Sequence, residues 1–80
     1  MDKETNRQLI IQTLQAHSTK AFQTEELSGI TQIPVDTLRG LLRHLVREGL
    51  IQKTTITREA WNKKKTERYT YPEVWYHYAG

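Results

Sequence analysis

Between positions 34 and 51 the apolar residues fall at Leu38, Leu41, Leu42, Leu45 and Val46, in steps of three and four. That spacing predicts an amphipathic helix over 34–48 with one apolar stripe. Its other side is polar: Asp36, Thr37, Arg39, Gly40, Arg43 and Arg47. Pro34 suits a first helical turn, where its missing N–H is not needed. Gly49 suits a left-handed helix stop, after which Leu50 and Ile51 begin an extended segment. Upstream, residues 3–17 predict a first helix with Leu9, Ile10, Leu14 and His17 on one side and Ile11 at its flank. A short extended piece follows at Ala21-Phe22-Gln23. Thr24 then offers a hydroxyl cap, with Glu25 and Glu26 in the first turn to meet the helix dipole. This second helix is expected to run to about residue 30, with a turn at 31–33.

After Gly49 the pattern changes to one rich in β-branched and aromatic residues over 51–60 and 69–78, which favours strands. The polar, cationic stretch 61–68 between them predicts a hairpin tip. Turns at Asn62-Lys63, Lys63-Lys64 or Lys64-Lys65 all fit, so the register stays open. Pro72 cannot donate to a ladder and marks an edge, a bulge or the point where a projecting ribbon joins the sheet. The expected order is helix, short strand, helix, helix, strand, loop, strand.

Eighty residues predict one domain over 1–80 with an adequate but not generous core. The chain has no cysteine, which excludes disulfides and thiolate metal sites. No apolar run approaches the roughly 18 residues of a membrane span, and MDKETNRQ is too polar for a signal peptide. A cytoplasmic protein is expected, nucleoid-associated if it is bacterial, phage or plasmid-borne. The net charge of +3 is unevenly spread: residues 1–33 carry −1 and residues 34–80 carry +4. Such asymmetry suits a polyanionic partner, although small proteins that bind nothing acidic are often equally basic.

From Thr24 to Ile51 the run T-E-E-L-S, a turn, then I-P-V-D-T-L-R-G-L-L-R-H-L-V-R-E-G-L-I resembles winged helix-turn-helix DNA-binding domains. The positions of Leu27, Leu38, Leu42, Leu45, Gly49 and Leu50 follow that family's spacing, and the order of elements extends the likeness over nearly the whole chain. The resemblance implies an α+β, mainly α, fold: three helices plus a small antiparallel sheet with a β-hairpin wing. It places the helix-turn-helix at about 24–48, the recognition helix at 34–48 and the wing at about 50–78.

A helix in the major groove needs short or hydrogen-bonding side chains near its start and cations along its flank. Val35, Asp36 and Thr37 form the first turn, and Arg39, Gly40 and Arg43 continue the outward face, with Arg47 toward the backbone. An arginine there can take guanine O6 and N7 together, worth about 1–3 kcal/mol of discrimination. Gly40 lowers helix stability by roughly 0.8–1 kcal/mol against alanine, which fits a close backbone approach to DNA or to a packed helix. Asp36 can read a cytosine amino group or serve the helix dipole, and the dipole role is favoured. Val35 can touch a thymine methyl or close the turn onto Ile33. In the wing, Lys63, Lys64 and Lys65 at the tip, with Arg58 and Arg68 on the strands, can grip phosphates or enter a minor groove. Read alone, such a tip is a solvated turn that resists edge aggregation. Beside an arginine-bearing helix the nucleic-acid reading is preferred.

The aromatic residues Trp61, Tyr69, Tyr71, Trp75, Tyr76 and Tyr78 could stack on unpaired bases, but most are expected to complete a small core. Trp75 is assigned to the core or its margin, while Trp61 and Tyr69 stay open. Some winged helices that grip left-handed nucleic acid carry a wing proline and tryptophan, as Pro72 and Trp75 do here. Arg39 and Arg43 stand where that group has an asparagine and a tyrosine, which argues against the specialised activity. No enzyme is expected. His17, His44 and His77 lack metal-ligand spacing, Ser18 and Ser28 lack a nucleophile setting, and the four glycines form no phosphate loop. Glu25-Glu26 is a helix-start pair rather than a catalytic dyad. His44 lies one step from the contact face, and a partly buried, hydrogen-bonded histidine is the preferred reading.

Together these features predict sequence-preferring double-stranded DNA binding by a small transcriptional regulator or a replication or recombination accessory factor. No cofactor or small-molecule effector is expected. No extra terminal helix of the kind through which many such repressors dimerise is expected from these residues. The protein is therefore expected to act as a monomer, on tandem sites, or paired through its aromatic C-terminal strand. A two-fold dimer would place half-sites about 34–36 Å apart. The alternatives are a protein-interaction module using the aromatic wing, or a binder of RNA or single strands.

Overall fold

The computed structural model describes residues 3–79, and helix α1 spans Lys3–Ala16, α2 Thr24–Thr31 and α3 Val35–Arg47. Strands β1, Ile51–Trp61, and β2, Arg68–Tyr78, form an antiparallel hairpin. This is an α+β layout with helices prominent, consistent with a winged-helix arrangement. The α3 stripe buries as its spacing requires: Leu38, Leu41, Leu42 and Leu45 join Ile10, Leu14, Phe22, Leu27, Ile33 and Ile51 in one core. Helix α1 contributes Ile10 and Leu14 with Asn6 one turn before them, so a buried polar residue blurs its apolar period. His17 is not part of that face. The helix ends at Ala16, and the exposed imidazole lies edge-on to Phe22 with ring centroids 5.9 Å apart.

Phe22 is the third strand in miniature. Its N–H and C=O both bond Tyr76, each at 2.8 Å, while its ring is 1% exposed. Because that bridge holds the chain extended, the switch into α2 falls at Gln23 (φ −87°, ψ 163°), not at Thr24 as expected. Gln23 donates its N–H to Glu26 Oε1 at 3.4 Å, and Thr24 is the first helical residue.

The turn between α2 and α3 is built from side chains. Gln32 takes a left-handed φ of 64° and donates its N–H to the Ser28 carbonyl at 2.9 Å. The Thr31 hydroxyl donates to the Leu27 carbonyl at 2.7 Å and accepts the Ile33 N–H at 3.3 Å. The Ser28 hydroxyl donates to the Ile33 carbonyl at 2.7 Å. With Ile33 buried between them, these bonds fix how α3 leaves α2. Pro34 precedes α3 rather than opening its first turn. Its ψ of 144° is extended, and its carbonyl accepts the first helical N–H, from Leu38 at 2.9 Å.

Gly49 adopts φ 78°, as the stop signal requires. The N–H groups of Leu50 and Gly49 turn back to the carbonyls of Leu45 (3.1 Å) and Val46 (3.0 Å), so the last turn of α3 is satisfied before β1 begins. Beside this stop, Arg7 of α1 donates two hydrogen bonds to Glu48, at 3.1 and 2.8 Å. That contact holds the Glu48 carboxyl below its ordinary value of 4.5, with the charges of Arg7 and His44 adding to it. A carboxyl lowered in the folded state adds stability fully present above its unfolded value and lost as pH falls through its folded one. The acid limb of a urea-unfolding pH series should therefore flatten in Glu48→Gln; an unchanged limb would show that the clasp carries no stability.

Candidate nucleic-acid interface

Helix α3 turns Asp36, Thr37, Arg39, Gly40, Arg43 and Arg47 to solvent, while Val35 is half-buried where the turn closes. Asp36 lies in the first turn, where a negative charge meets the exposed N–H groups. Arg39, Arg43 and Arg47 are spaced four apart and so line one flank, repelling one another. Among the described residues none of the three has an ion-pair partner, and neither do Lys53, Lys63, Lys64 and Lys65. The contrast with other cations is consistent. Arg7 pairs with Glu48 and Glu4, Lys20 with Glu26, Arg58 with Glu73 and Arg68 with Glu59.

Gly40 carries a second signal. A methyl group built at its α-carbon would meet nothing within 4 Å, so among the described residues no other helix packs there. Of the two reasons weighed for a mid-helix glycine, packing against a neighbouring described helix is not the one.

A groove of about 510 Å³ runs between α3 and the hairpin. Arg39 and Arg43 line one wall, Lys53, Pro72, Val74 and Tyr76 of the hairpin's inner face the other, and Glu25 of α2 closes one side. Lys53 was not among the residues expected from sequence. It follows a buried strand start, and its side of the ribbon becomes visible only with the register.

The hairpin tip is a closed loop over 62–67. Asn62 donates its N–H to the Glu67 carbonyl at 3.0 Å, and its own carbonyl accepts the Lys65 N–H at 2.9 Å. Its side chain accepts the Thr66 N–H at 2.9 Å and donates to the Thr66 hydroxyl at 3.0 Å. Lys63, Lys64 and Lys65 are thereby held outward, Lys65 with a left-handed φ of 57°. The two strand arginines differ from the tip lysines. Arg58 is bound to Glu73 at 3.1 Å, and Arg68 lies 3.6 Å from Glu59 with its guanidinium 5.6 Å from the Trp61 ring.

Directly opposed residues share a face, so the pairing of Lys53 with Tyr76 and Thr54 with Trp75 sorts the aromatics. Tyr76 and Tyr78 lie on the inner face and pack against the core. Trp75 does not, contrary to the assignment from sequence. Next to Tyr76, it must project from the opposite face, where its Nε1–H donates to Glu73 at 2.8 Å. Tyr69 and Tyr71 share this outer face with ring centroids 6.1 Å apart, and both are exposed. His44 also departs from expectation. It is exposed on α3 and, among the described residues, has no side-chain hydrogen bond, because the core arc of the helix closes before reaching it.

Among the described residues no three His, Asp or Glu side chains group closely enough to hold a metal ion, and no helix is long and apolar enough to cross a membrane. Comparisons with protein-family models, with curated proteins and with solved structures found no match to this chain.

Proposed function

We propose that this protein is a winged helix-turn-helix domain that binds double-stranded DNA, with α3 in the major groove and the hairpin tip on the flanking backbone or minor groove. The observation that carries the reading is the unneutralised arginine stripe of α3, in a chain whose other described arginines, Arg7, Arg58 and Arg68, are each paired with a carboxylate. Arg39 and Arg43, with Thr37, make base or near-base contacts; Arg47 and the three tip lysines meet phosphates. Arg58 and Arg68 are secondary, since each must first leave an internal partner. The role is regulatory or accessory, without a chemical step.

Phosphate-driven binding weakens with salt, log affinity falling by about 0.9 per neutralised phosphate for each decade of salt. A gel-shift competition among mixed-sequence duplex, single-stranded DNA and RNA tests the class of partner. The expected result is duplex preference with a steep salt slope. No duplex binding at about 50 mM salt would overturn the proposal. A single-strand preference abolished by Tyr69→Ala would instead favour the exposed tyrosine pair as a stacking platform.

Two glycines make a matched test of how α3 is used. Gly29 in α2 and Gly40 in α3 both face open space. Each changed to alanine is expected to stabilise the fold by about 0.8–1 kcal/mol in urea unfolding. Gly40→Ala alone should weaken duplex binding, because its methyl intrudes between helix and groove. Equal affinity in both variants would remove Gly40 from the interface.

A further inference from the structure

The two edges of the hairpin are not equivalent. Tyr76 turns its N–H and C=O to Phe22, away from β1, while Asn62 turns its N–H to Glu67 across the hairpin. Residues 53, 55, 57 and 59 of β1 sit at the positions that alternate with the second kind, so their N–H and C=O groups point outward, away from β2. On the β2 edge, Phe22 covers Tyr76, and Pro72 has the same outward orientation but no N–H to offer. The β1 edge has neither protection. It runs eleven residues without proline or bulge, is exposed from Gln52 to Glu59, and among the described residues has no backbone partner beyond β2. A long, straight, unpaired edge is a template for another strand.

We propose that β1 pairs antiparallel with β1 of a second copy about a two-fold axis at Ile56, joining two hairpins into one four-stranded sheet. The occupant is argued from charge and from the exposed apolar residue. In this register Lys53 faces Glu59 of the second copy, Thr55 faces Thr57, and Ile56 faces Ile56. Among the described residues Lys53 has no ion-pair partner, and Glu59 has only the exposed Arg68 at 3.6 Å. Ile56, 39% exposed on the outer face, is covered by its own counterpart. Sliding the strands by two residues either way sets Glu59 against Ile51 or Thr55 and forfeits the charge match. Every contact occurs twice, as a closed two-fold interface requires. Of the three arrangements expected from sequence, one is pairing through the C-terminal strand; here the pairing strand is β1 instead.

This pairing does not rest on DNA binding, and sedimentation equilibrium without nucleic acid tests it. The expected mass is twice the 9.4 kDa of the chain. Thr55→Pro removes an outward N–H while sparing the β1–β2 ladder, and should give a folded monomer by circular dichroism. Lys53→Glu should also dissociate the dimer, and K53E combined with E59K should restore it even if the proline variant fails to fold. Because the chain has no cysteine, Ile56→Cys should oxidise to a linked dimer at a rate independent of protein concentration once dimers are saturated. Thr54→Cys, whose counterpart lies four residues along, should couple only by collision. A wild-type chain that stays monomeric at every concentration overturns the proposal, as does a dimer that survives both Thr55→Pro and Lys53→Glu.

Discussion

Arg43→Glu is expected to abolish duplex binding while making the protein more stable. Arg43 sits between Arg39 and Arg47 on the exposed flank of α3, and like charges four apart on a helix destabilise it by about 0.2–0.5 kcal/mol per pair. Glutamate at the central position turns both repulsions into attractions, a net gain of about 1 kcal/mol, or roughly 4–8 °C in Tm for a chain of this size. The same change removes the proposed base contact, worth about 1–3 kcal/mol or a factor of roughly 5–150 in affinity, and would set a carboxylate against phosphates. Thermal denaturation and gel shift on one sample separate the two effects. Loss of binding with loss of stability would mean that the arginine serves the fold. Unchanged binding would remove α3 from the interface.

The largest effect on stability is expected at Phe22. Its ring is 1% exposed, lies 4.8 Å from the Lys20 ammonium and edge-on to His17, and its backbone forms the bridge to Tyr76. Truncating a buried phenylalanine costs about 3–5 kcal/mol, in a chain whose whole stability is expected in the range of about 5–15 kcal/mol. Phe22→Ala should be largely unfolded at temperatures the parent tolerates, whereas Phe22→Leu, which keeps most of the volume, should remain folded. If urea unfolding shows a loss below about 1 kcal/mol for the alanine variant, the ring is not holding the hairpin to the helices.

The elements visible in the sequence were those governed by local rules. The leucines of α3 recur at helical spacing, and Gly49 stands where a left-handed residue is needed, so helix and stop could be placed without coordinates. What stayed hidden depended on pairing between distant segments. The cap of α2 falls on Gln23 because Phe22 is held extended by a strand more than fifty positions away. Three consecutive lysines carry no turn signal, and the Asn62 side chain, bonded to Thr66, decides where the hairpin closes. That register then dictates that Trp75 leaves the core and that Lys53 joins Arg39 and Arg43 at the groove. Of the candidate contacts, the α3 arginines and the tip lysines are free to meet a ligand. Arg58 and Arg68 are tied to carboxylates that the sequence offered but could not assign.

The closed tip loop has a practical corollary. Asn62 and Thr66 brace the ends of the lysine triplet through their own side chains, so the three cations arrive pre-spaced rather than on a swinging tether. Such a loop behaves as a cassette. Its central residues are exchangeable for other short sequences, provided the third tolerates the left-handed backbone that Lys65 now adopts, as glycine or asparagine would. The chemistry at the end of the ribbon is thus separable from that of α3, and chimaeras that swap one while keeping the other become straightforward to build.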